Sequence, residues 1–426
     1  MNYKNKLLDK INKKESVIGI IGLGYVGLPL AGVFAKKNFN VIGFDIDPNK
    51  IDMLNQSKSY INHIKNKFLE NINKKFTATT NFTHIQDVDV IIICLPTPLT
   101  KKKNPDLSFI TSTLNIIKKY LKKGQIIILE SSTYPGSTRQ MIEPIIKQKK
   151  FILGNNFFLG YSPEREDPSN KKYNISNIPK LLSGSTSECK NITSLLYSKV
   201  VKKIVLMTSL EAAEFTKIFE NTFRSINIAL VNELKLLATK TKLNINEIIR
   251  AASTKPFGFK AFQPGPGVGG HCIPIDPYYL SWVGKKNSIK MNFIGLAGKV
   301  NDMMPKWIIS ESLKGRNIKK ALILGVAYKK NVDDMRESPA LEFIKIFQKK
   351  GIKVDYHDPY IKIIKTRKFK RTMKSIDIKK ISNYDIVYLL TDHDIFNYSF
   401  IKHNSKFIID TRNVYKKEIK NKIMKL

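Results

Sequence analysis

Short apolar runs alternate with amphipathic stretches along the first part of the chain. Val17–Ile21 is apolar throughout, and an amphipathic stretch follows it through Lys37. Short apolar runs bounded by turn residues are typical of buried parallel strands, and helices join the strands of parallel sheets. The same pattern predicts further strands at Val41–Asp45, Val88–Leu95, Gln125–Leu129 and Phe157–Tyr161.

The second part of the chain repeats this alternation after a long helical pattern. No Gly or Pro interrupts the segment from Leu210 to about Ala252, and a second mostly helical stretch runs up to Trp307. Further strands are predicted at Ala321–Val326, Lys353–His357, Ile386–Leu390 and Phe407–Asp410. The predicted fold class is α/β, with two Rossmann-like doubly wound domains joined by a long central helix.

A glycine pattern follows the first predicted strand. Gly22, Gly24 and Gly27 have the G-x-G-x-x-G spacing, and Asp45 ends the second strand, 18 residues after the last glycine. In dinucleotide-binding folds these glycines permit a tight turn, backbone contact with the pyrophosphate, and close packing of helix on strand. The helix N-terminus supplies N–H donors to the phosphates.

The acid at the end of the second strand bears on the choice of cofactor. Asp45 accepts hydrogen bonds from the adenosine ribose hydroxyls, which favours NAD over NADP, although the nearby Lys50 leaves NADP open. The cofactor contacts predicted in this segment are Gly22, Gly24, Tyr25, Val26, Gly27, Asp45 and Lys50.

The chain is strongly basic, with a formal net charge of +38. Its lysines are scattered among Asn and Ile, as A/T-rich codons would produce, and no nucleic-acid-binding motif accompanies them. We therefore predict no nucleic-acid partner, while a basic surface still attracts an anionic substrate. The three cysteines are too scattered for a disulfide framework or a metal site, which favours a reducing, cytoplasmic setting.

The N-terminus shares some features with a signal peptide, because Lys-rich residues 1–14 precede the apolar run Val17–Ala35. That run contains the glycine pattern, and a second strand follows it. We interpret it as part of the fold. No other segment approaches the length of a membrane span, so no membrane insertion is predicted.

Glycines also crowd before a single cysteine in the segment Pro264–Tyr279. Cys272 follows Gly269 and Gly270 closely, and Asp276 stands four residues later. Glycines let backbone approach a substrate, a thiolate is a strong nucleophile, and a neighbouring carboxylate activates water. The alternative for this segment alone is a loop with a buried cysteine.

Several polar residues stand at predicted strand ends or share a helix face. Thr97, Thr133 and Glu164 follow strands, where ligands of doubly wound sheets bind and where helix caps and turns also occur. Lys217 and Asn221 are four residues apart, so both emerge on one side of the central helix. An exposed, solvated lysine is the alternative for Lys217.

The second α/β domain lacks the glycine pattern and is not expected to bind a second dinucleotide. A segment with Lys329 and Arg336 precedes Ser338 and Pro339, which are typical of the first residues of a helix. Basic residues beside a helix N-terminus suit a diphosphate. A basic loop without such a role is the alternative.

Together these segments resemble the UDP-glucose/GDP-mannose dehydrogenase family along nearly the whole chain. The resemblance rests on ordered motifs: Gly22–Gly27 with Asp45, Ser132–Gly136, Ser162–Glu164, Glu214–Asn221, Gly269–Asp276 and Asp334–Ser338. Enzymes of this family oxidise the C6 alcohol of a nucleotide sugar to a carboxylate with two NAD per sugar. The resemblance implies an NAD-dependent enzyme that takes a UDP-sugar.

The resemblance also implies roles for matching residues. Cys272 is expected to form a thiohemiacetal and then a thioester, Lys217 and Asn221 to stabilise the oxyanion, and Asp276 to activate water. The expected catalytic residues are Cys272, Lys217, Asn221, Asp276, Thr133 and Glu164. The expected substrate contacts are Glu164, Lys217, Gly269, Lys329 and Arg336, and further NAD contacts are expected from Thr97, Thr133 and Arg412.

The domains expected from the resemblance are an NAD-binding domain (1–205), a helical region with the cysteine loop (206–310) and a UDP-sugar-binding domain (311–426). The protein is expected to form a homodimer with contacts between the central helices of the two subunits.

The residues around Cys272 narrow the expected substrate. His271 precedes the cysteine, where UDP-glucose enzymes usually have Ser or Tyr. Ile275 precedes Asp276, where those enzymes usually have Lys. The loop is similar to that of UDP-N-acetylhexosamine 6-dehydrogenases, which implies UDP-N-acetylglucosamine as the substrate, for surface polysaccharide or glycan synthesis. UDP-glucose, UDP-N-acetylmannosamine and a non-catalytic nucleotide- or RNA-binding Rossmann protein are the alternatives. Glu166 receives no role, because its spacing from Glu164 differs from the family pattern.

Overall fold

The structure is a computed structural model that describes residues 2–61, 64–166, 173–365 and 372–426. It divides into two compact units. The first comprises Met1–Glu220 with Trp282–Ser288, and the second comprises Asn221–Ser281 with Ile289–Leu426.

The first unit contains an eight-stranded sheet and the helices that cover it. Its strands are β1 Val17–Ile21, β2 Asn40–Phe44, β3 Phe76–Thr79, β4 Val90–Ile93, β5 Ile126–Leu129, β6 Phe158–Tyr161, β7 Lys180–Gly184 and β8 Ile204–Leu206. Its helices are α1 Tyr3–Lys13, α2 Gly27–Lys36, α3 Pro48–Asn55, α4 Asn66–Glu70, α5 Ser108–Ile117, α6 Ser137–Gln148 and α7 Ser187–Ser198.

The strand order is β3-β2-β1-β4-β5-β6-β7-β8, with every pair parallel except β6 and β7. The order reverses beside β1, which creates a crevice at the carboxyl ends of β1 and β4. Successive residues of β4 enter different cores, because Ile92 packs in one apolar cluster and Ile91 and Ile93 in another. Such burial on both faces accounts for the uninterrupted apolar runs of the sequence.

Helix α8, Leu210–Lys240, begins in the first unit and continues into the second. The second unit then contains α9 Ile245–Ala252, α11 Asn292–Leu313, α12 Pro339–Lys349 and α13 Tyr398–Asn404, and α10 Asp276–Lys286 begins there. Its strands are β9 Lys320–Leu324, β10 Lys353–His357, β11 Ile363–Ile364, β12 Met373–Lys374, β13 Ile386–Leu389, β14 Ile408–Asp410 and β15 Ile423–Lys425.

The main sheet of the second unit is parallel throughout, in the order β10-β9-β13-β14-β15. Its strands also supply two cores, because Ile323 and Tyr388 pack in one cluster and Leu322 and Val387 in another. Two doubly wound sheets and a long helix between them in the chain confirm the predicted fold class.

The prediction of unbroken helix up to about Ala252 was wrong. Helix α8 ends at Lys240, Lys242 adopts a left-handed conformation with φ 58°, and α9 starts afresh after Asn244. The Asn244 side chain accepts hydrogen bonds from the backbone N–H groups of Asn246 and Glu247. This N-cap satisfies donors that a continuous helix would have bonded internally, so the chain can turn without Gly or Pro.

Candidate active site

The turn after β1 has the close contacts that its glycines permit. Gly22 has φ 92°, and a Cβ atom there would lie 2.7 Å from the carbonyl oxygen of Cys94. A Cβ atom at Gly27 would lie 1.9 Å from the carbonyl oxygen of Gly22. A Cβ atom at Gly24 would meet nothing within 4 Å. The first and third glycines are therefore required by packing, while the second leaves open space for a phosphate to approach the backbone.

Asp45 lies at the end of β2 and faces this turn. Its Oδ2 accepts a hydrogen bond from the Leu23 N–H at 3.1 Å, and its Oδ1 accepts one from the Asp47 N–H at 3.1 Å. The Lys50 ammonium lies 3.4 Å from Asp45 Oδ2. A carboxylate held at this strand end by backbone donors fits the ribose of a dinucleotide, and Lys50 is engaged by Asp45 itself.

The other predicted cofactor contacts of the first unit are near this crevice. Tyr25 packs against the core beneath the turn, and Val26 immediately precedes α2. Thr97 is buried in the segment after β4.

Thr133 is tied to the central helix by a buried glutamate. The Thr133 hydroxyl donates to Glu214 Oε1 at 3.4 Å, and the same carboxylate accepts hydrogen bonds from the N–H groups of Gly136 at 2.5 Å and Thr138 at 2.9 Å. Glu214 thus caps the N-terminus of α6 and fixes the loop that carries Thr133. Glu214 begins one of the motifs of the resemblance, but its own role is visible only in the structure.

Glu164 belongs to a buried group of charges that the sequence did not predict. The Lys180 ammonium lies 3.0 Å from Glu164 Oε2 and 2.9 Å from Glu130 Oε2, and the Tyr197 hydroxyl donates to Glu130. Burial alone would raise the pKa of Glu164, but Lys180 and two backbone N–H donors hold it below its usual range. Burial dominates at Glu130 and raises its pKa. Glu164 is therefore an ionised acceptor with a fixed position.

Lys217 is buried on α8, and within the described residues its ammonium has no hydrogen-bond acceptor or ion-pair partner. That burial contradicts the alternative of an exposed lysine. A negatively charged ligand or a developing oxyanion is the kind of group that such a cation stabilises.

Cys272 and Asp276 share a helical turn at the start of α10. The Asp276 N–H donates to the Cys272 carbonyl oxygen at 2.9 Å, so the two side chains have the i, i+4 relation of helix neighbours. Asp276 is buried, and its Oδ2 accepts a hydrogen bond from Asn221 Nδ2 at 2.6 Å. Cys272 is exposed, which contradicts the buried-cysteine alternative. The structure therefore brings together an accessible thiol, a carboxylate and an amide.

The cysteine loop packs on the segment that carries Lys329 and Arg336. The Gly270 N–H donates to the Arg336 carbonyl oxygen at 2.9 Å, and a Cβ atom at Gly269 would lie 2.8 Å from the Tyr328 Cβ. The Arg336 guanidinium pairs with Asp334 at 2.7 Å and is exposed.

His271, beside the cysteine, is largely buried. That burial, together with the positive charge of Arg336, lowers the pKa of His271 to about 4, so its imidazole is neutral at physiological pH.

Arg412, a predicted NAD contact, lies in the second unit after β14. Its Nε donates to the Leu390 carbonyl oxygen at 2.6 Å, and its NH1 lies 3.1 Å from the position of a Cβ atom at Gly265. Burial lowers the pKa of Arg412 from its ordinary value.

Comparison with known proteins assigns this architecture to a family. Three domain models of the UDP-glucose/GDP-mannose dehydrogenase family match the chain: the NAD binding domain at residues 16–201, the central domain at 211–303 and the UDP binding domain at 322–417.

Relatives match over most of their length. UDP-N-acetyl-D-glucosamine 6-dehydrogenase of Pseudomonas aeruginosa is 35% identical over 82% of this chain and 84% of its own. UDP-N-acetyl-D-mannosamine dehydrogenase of Pyrococcus horikoshii is 33% identical over 94% and 96%. A solved structure of the UDP-D-ManNAc dehydrogenase from Pyrococcus horikoshii has a TM-score of 0.85, with 32% identity, and covers 96% of this chain and 98% of its own.

The chain belongs to the UDP-glucose/GDP-mannose dehydrogenase family. It is an NAD-dependent UDP-sugar dehydrogenase, which confirms the predicted family, enzyme class and cofactor. No helix in the described parts of the chain has the length and apolar character that a membrane crossing requires. The domain limits at 205 and 310 and the roles of individual site residues stay predictions.

Proposed function

We propose that this enzyme oxidises the C6 alcohol of UDP-N-acetylglucosamine to the carboxylate. Bound NAD supplies the hydride acceptor for both oxidations. The proposal depends on one observation above all: an exposed Cys272 thiol shares a helical turn with the buried Asp276, whose carboxylate accepts a hydrogen bond from Asn221. A dehydrogenase that stopped at the aldehyde would need no such nucleophile.

The covalent part of the reaction begins after the first oxidation. The Cys272 sulfur adds to the aldehyde carbon, and the carbonyl oxygen becomes the oxygen of a thiohemiacetal. Loss of hydride from that carbon and of the oxygen-bound proton leaves a thioester. Lys217 and Asn221 stabilise the negative charge that develops on this oxygen, and a lysine on a largely buried side chain is suited to that role.

Hydrolysis releases the product. Asp276 accepts a proton from water, the resulting hydroxide attacks the thioester carbon, and the carbon–sulfur bond breaks to return the thiol. Asn221 orients the Asp276 carboxylate through the 2.6 Å hydrogen bond. Thr133, held by Glu214, and the ionised Glu164 act as fixed partners for the water. One alcohol, two NAD and one water give one carboxylate, two NADH and three protons.

Ligand contacts follow the division of the chain. Gly22, Gly24, Tyr25, Val26, Gly27, Asp45, Lys50, Thr97, Thr133 and Arg412 contact NAD in this proposal. Glu164, Lys217, Gly269, Lys329 and Arg336 contact the UDP-sugar. The match of residues 322–417 to a UDP binding domain supports the placement of Lys329 and Arg336 at the substrate.

The choice of sugar is supported by the residues at the cysteine and by the relatives. His271 and Ile275 are the residues that favoured a UDP-N-acetylhexosamine, and the P. aeruginosa relative named above is a UDP-N-acetyl-D-glucosamine 6-dehydrogenase. In this proposal the enzyme acts in the cytoplasm, and its product is an acidic sugar for the synthesis of surface polysaccharide or glycan.

The mannosamine epimer is the second candidate, because relatives and structural neighbours with that name match nearly the whole chain. A panel of UDP-N-acetylglucosamine, UDP-N-acetylmannosamine and UDP-glucose distinguishes them, with NADH absorbance and mass spectrometry of the product as measurements. We expect the highest kcat/KM with UDP-N-acetylglucosamine and two NADH per carboxylate. A higher value with either other sugar overturns the choice of substrate, and no turnover with any sugar overturns the proposal as a whole.

A homodimer through the central helix is also part of the proposal. Phe223, Leu230, Leu234 and Leu237 are exposed on α8 at a spacing that forms one stripe. Exposed apolar stripes of this kind mark protein interfaces. Sedimentation is expected to give a dimer for the wild type and a monomer for Leu234→Glu, with Lys240→Glu on the same helix as the charge control. A monomeric wild type contradicts this part.

A further inference from the structure

The segment Tyr328–Glu337, here called the basic loop after Lys329, Lys330 and Arg336, is hydrogen-bonded to a buried histidine. The His393 side chain is fully buried, and its Nδ1 lies 3.0 Å from the Asn331 N–H nitrogen. Its Nε2 lies 3.1 Å from Asp358 Oδ2. A backbone N–H can only donate, so Nδ1 accepts and Nε2 carries the proton that is donated to Asp358.

Asp358 is saturated with donors on its other sides. Its Oδ2 also accepts hydrogen bonds from the N–H groups of Val326 at 2.7 Å and Ala327 at 3.0 Å, and its Oδ1 accepts from Tyr360 and Ile361. Burial alone would raise the pKa of Asp358, but His393 and these backbone donors hold it below its usual range. The carboxylate fixes the orientation of the imidazole, and the imidazole fixes the Asn331 backbone.

Asn331 has a left-handed conformation with φ 61°, so its N–H direction depends on local support. Its side chain exchanges hydrogen bonds with the exposed Asp394, at 2.6 Å and 3.1 Å. Exposed contacts of this kind add little, whereas the partly buried hydrogen bond to the fully buried His393 costs more to lose. His393 therefore fixes the direction of the Asn331 N–H, beside Val332, which packs in the core.

The position of the basic loop is transmitted to the cysteine loop. The Gly270 N–H donates to Arg336 at 2.9 Å, and Cβ atoms at Gly269 and Gly270 would each lie 2.8 Å from Tyr328 side-chain atoms. This close contact couples the positions of the two loops where they touch.

We propose that His393 is a positioning residue for catalysis: through Asn331 it holds the basic loop where Lys329 and Arg336 meet the UDP-sugar and where the cysteine loop packs. The inference rests on the proposed function for the roles of Lys329, Arg336 and Cys272. The hydrogen bonds that carry it lie wholly within the second unit.

Each of two substitutions removes one hydrogen bond of His393 and keeps the other. In His393→Asn the amide oxygen takes the place of Nδ1 and still accepts from Asn331, but the bond to Asp358 is lost. In His393→Gln the amide nitrogen takes the place of Nε2 and still donates to Asp358, but the acceptor for Asn331 is lost. We expect His393→Gln to raise the KM for the UDP-sugar and the Kd for UDP about tenfold, and His393→Asn to stay within about twofold. The KM for NAD is expected to stay unchanged in both.

Ser312→Ala is the matched control, because it removes a buried hydrogen bond of 2.6 Å to Tyr388 on β13 in the same sheet. It is expected to lower the melting temperature while the UDP Kd stays at the wild-type value. Equal UDP affinities in His393→Asn and His393→Gln, whether both weak or both normal, overturn the positioning role. So does a Ser312→Ala variant that weakens UDP as much as His393→Gln does.

UDP titration by calorimetry needs no turnover, so it separates this inference from the proposed function. If the wild type binds UDP but oxidises no sugar, the proposed function fails. The UDP affinities of His393→Asn and His393→Gln then still test the positioning role. Hydrogen exchange of the unmodified protein gives a second measurement should a variant not fold. The Asn331 amide is expected to be strongly protected, and exchange at the rate of an unprotected loop amide overturns the inference.

Discussion

The carboxyl edges of the two sheets use the same local device for opposite purposes. In each, a glycine with positive φ follows the first strand, Gly22 at 92° and Gly325 at 81°. In each, an aspartate at the end of the neighbouring strand accepts a hydrogen bond from the residue after that glycine. Asp45 accepts from Leu23 at 3.1 Å, and Asp358 accepts from Val326 at 2.7 Å.

The two aspartates differ in what else surrounds them. Asp45 has a partly exposed lysine beside it, and open space lies over Gly24. Asp358 is fully buried and closed by His393. At the first edge, Asp45 can therefore still accept hydrogen bonds from a ligand. At the second edge, Asp358 is fully hydrogen-bonded within the protein, and the proposed ligand contacts of that unit lie on the basic loop. A shared fold thus fixes where an aspartate stands but not whether it is a binding residue.

The largest effect is expected at the cysteine loop, which belongs to the second unit. Cys272→Ser should reduce carboxylate formation by at least about 10³-fold, because an alkoxide is far harder to generate than a thiolate. NAD affinity should be unchanged, as the cofactor edge is intact. Product analysis and NAD titration check both parts. Wild-type formation of the carboxylate would exclude the covalent role.

Lys217 tests whether the first unit does more than bind NAD. Lys217→Ala should lower kcat by about 10²–10³-fold with a smaller change in KM, because a cation that stabilises developing charge acts in the transition state. Steady-state kinetics with both substrates measure this. Lys202→Ala, which removes an exposed lysine of the same unit, is the control and should leave kcat unchanged. A change confined to KM would assign Lys217 to ground-state binding.

The same substitution at the two aspartates tests the comparison directly. Asp358→Asn should destabilise the protein by about 3 kcal/mol, because an amide nitrogen then faces buried donors. Asp45→Asn should cost less, because Asp45 accepts from two backbone N–H groups where Asp358 accepts from four and from His393, and because its partner Lys50 is partly exposed. It should weaken NAD about tenfold and narrow the preference over NADP. Denaturant unfolding and cofactor titration are the measurements, and similar results for both variants would refute the contrast.

The smallest effect concerns acid stability. The folded-state pKa of Asp358 is below its usual range, so its ionised form contributes stability above the unfolded value of about 3.9. That contribution is lost as the pH falls through the folded pKa. Circular dichroism should show wild type losing stability below about pH 4, and Asp358→Asn should lack that part of the pH dependence. Parallel acid curves for the two proteins would contradict this.

The sequence sufficed for the features that depend on local pattern. Nine predicted strands, the Gly22–Gly27 turn and Asp45 after β2 follow from apolar runs and glycine spacing, and the structure has each of them. The shorter or less apolar strands β3, β7, β8, β11, β12 and β15 were not predicted. The break after Lys240 had a signal that was missed: Asn244 is followed three residues later by Glu247, which is typical of a helix N-terminus.

Partners distant in sequence could not be predicted in this way. Lys180 joins Glu164 to Glu130, Glu214 holds Thr133 from 81 residues away, and His393 reaches Asn331 across 62. Nothing in the immediate neighbours of these residues distinguishes them from ordinary charged or polar positions, because the partner is supplied by the fold. The candidate site residues were thus found by motif, while the residues that orient them needed coordinates.

The different accessibility of the three cysteines has a practical use. Cys189 is buried and Cys94 is partly covered, whereas Cys272 is exposed. Burial also raises the pKa of Cys94 well above its ordinary value, which keeps that thiol protonated. A maleimide dye should therefore attach at one position of the unmodified protein. Cys272 is therefore a ready attachment site for a fluorophore, and thiol-reactive covalent inhibitors should modify the same residue.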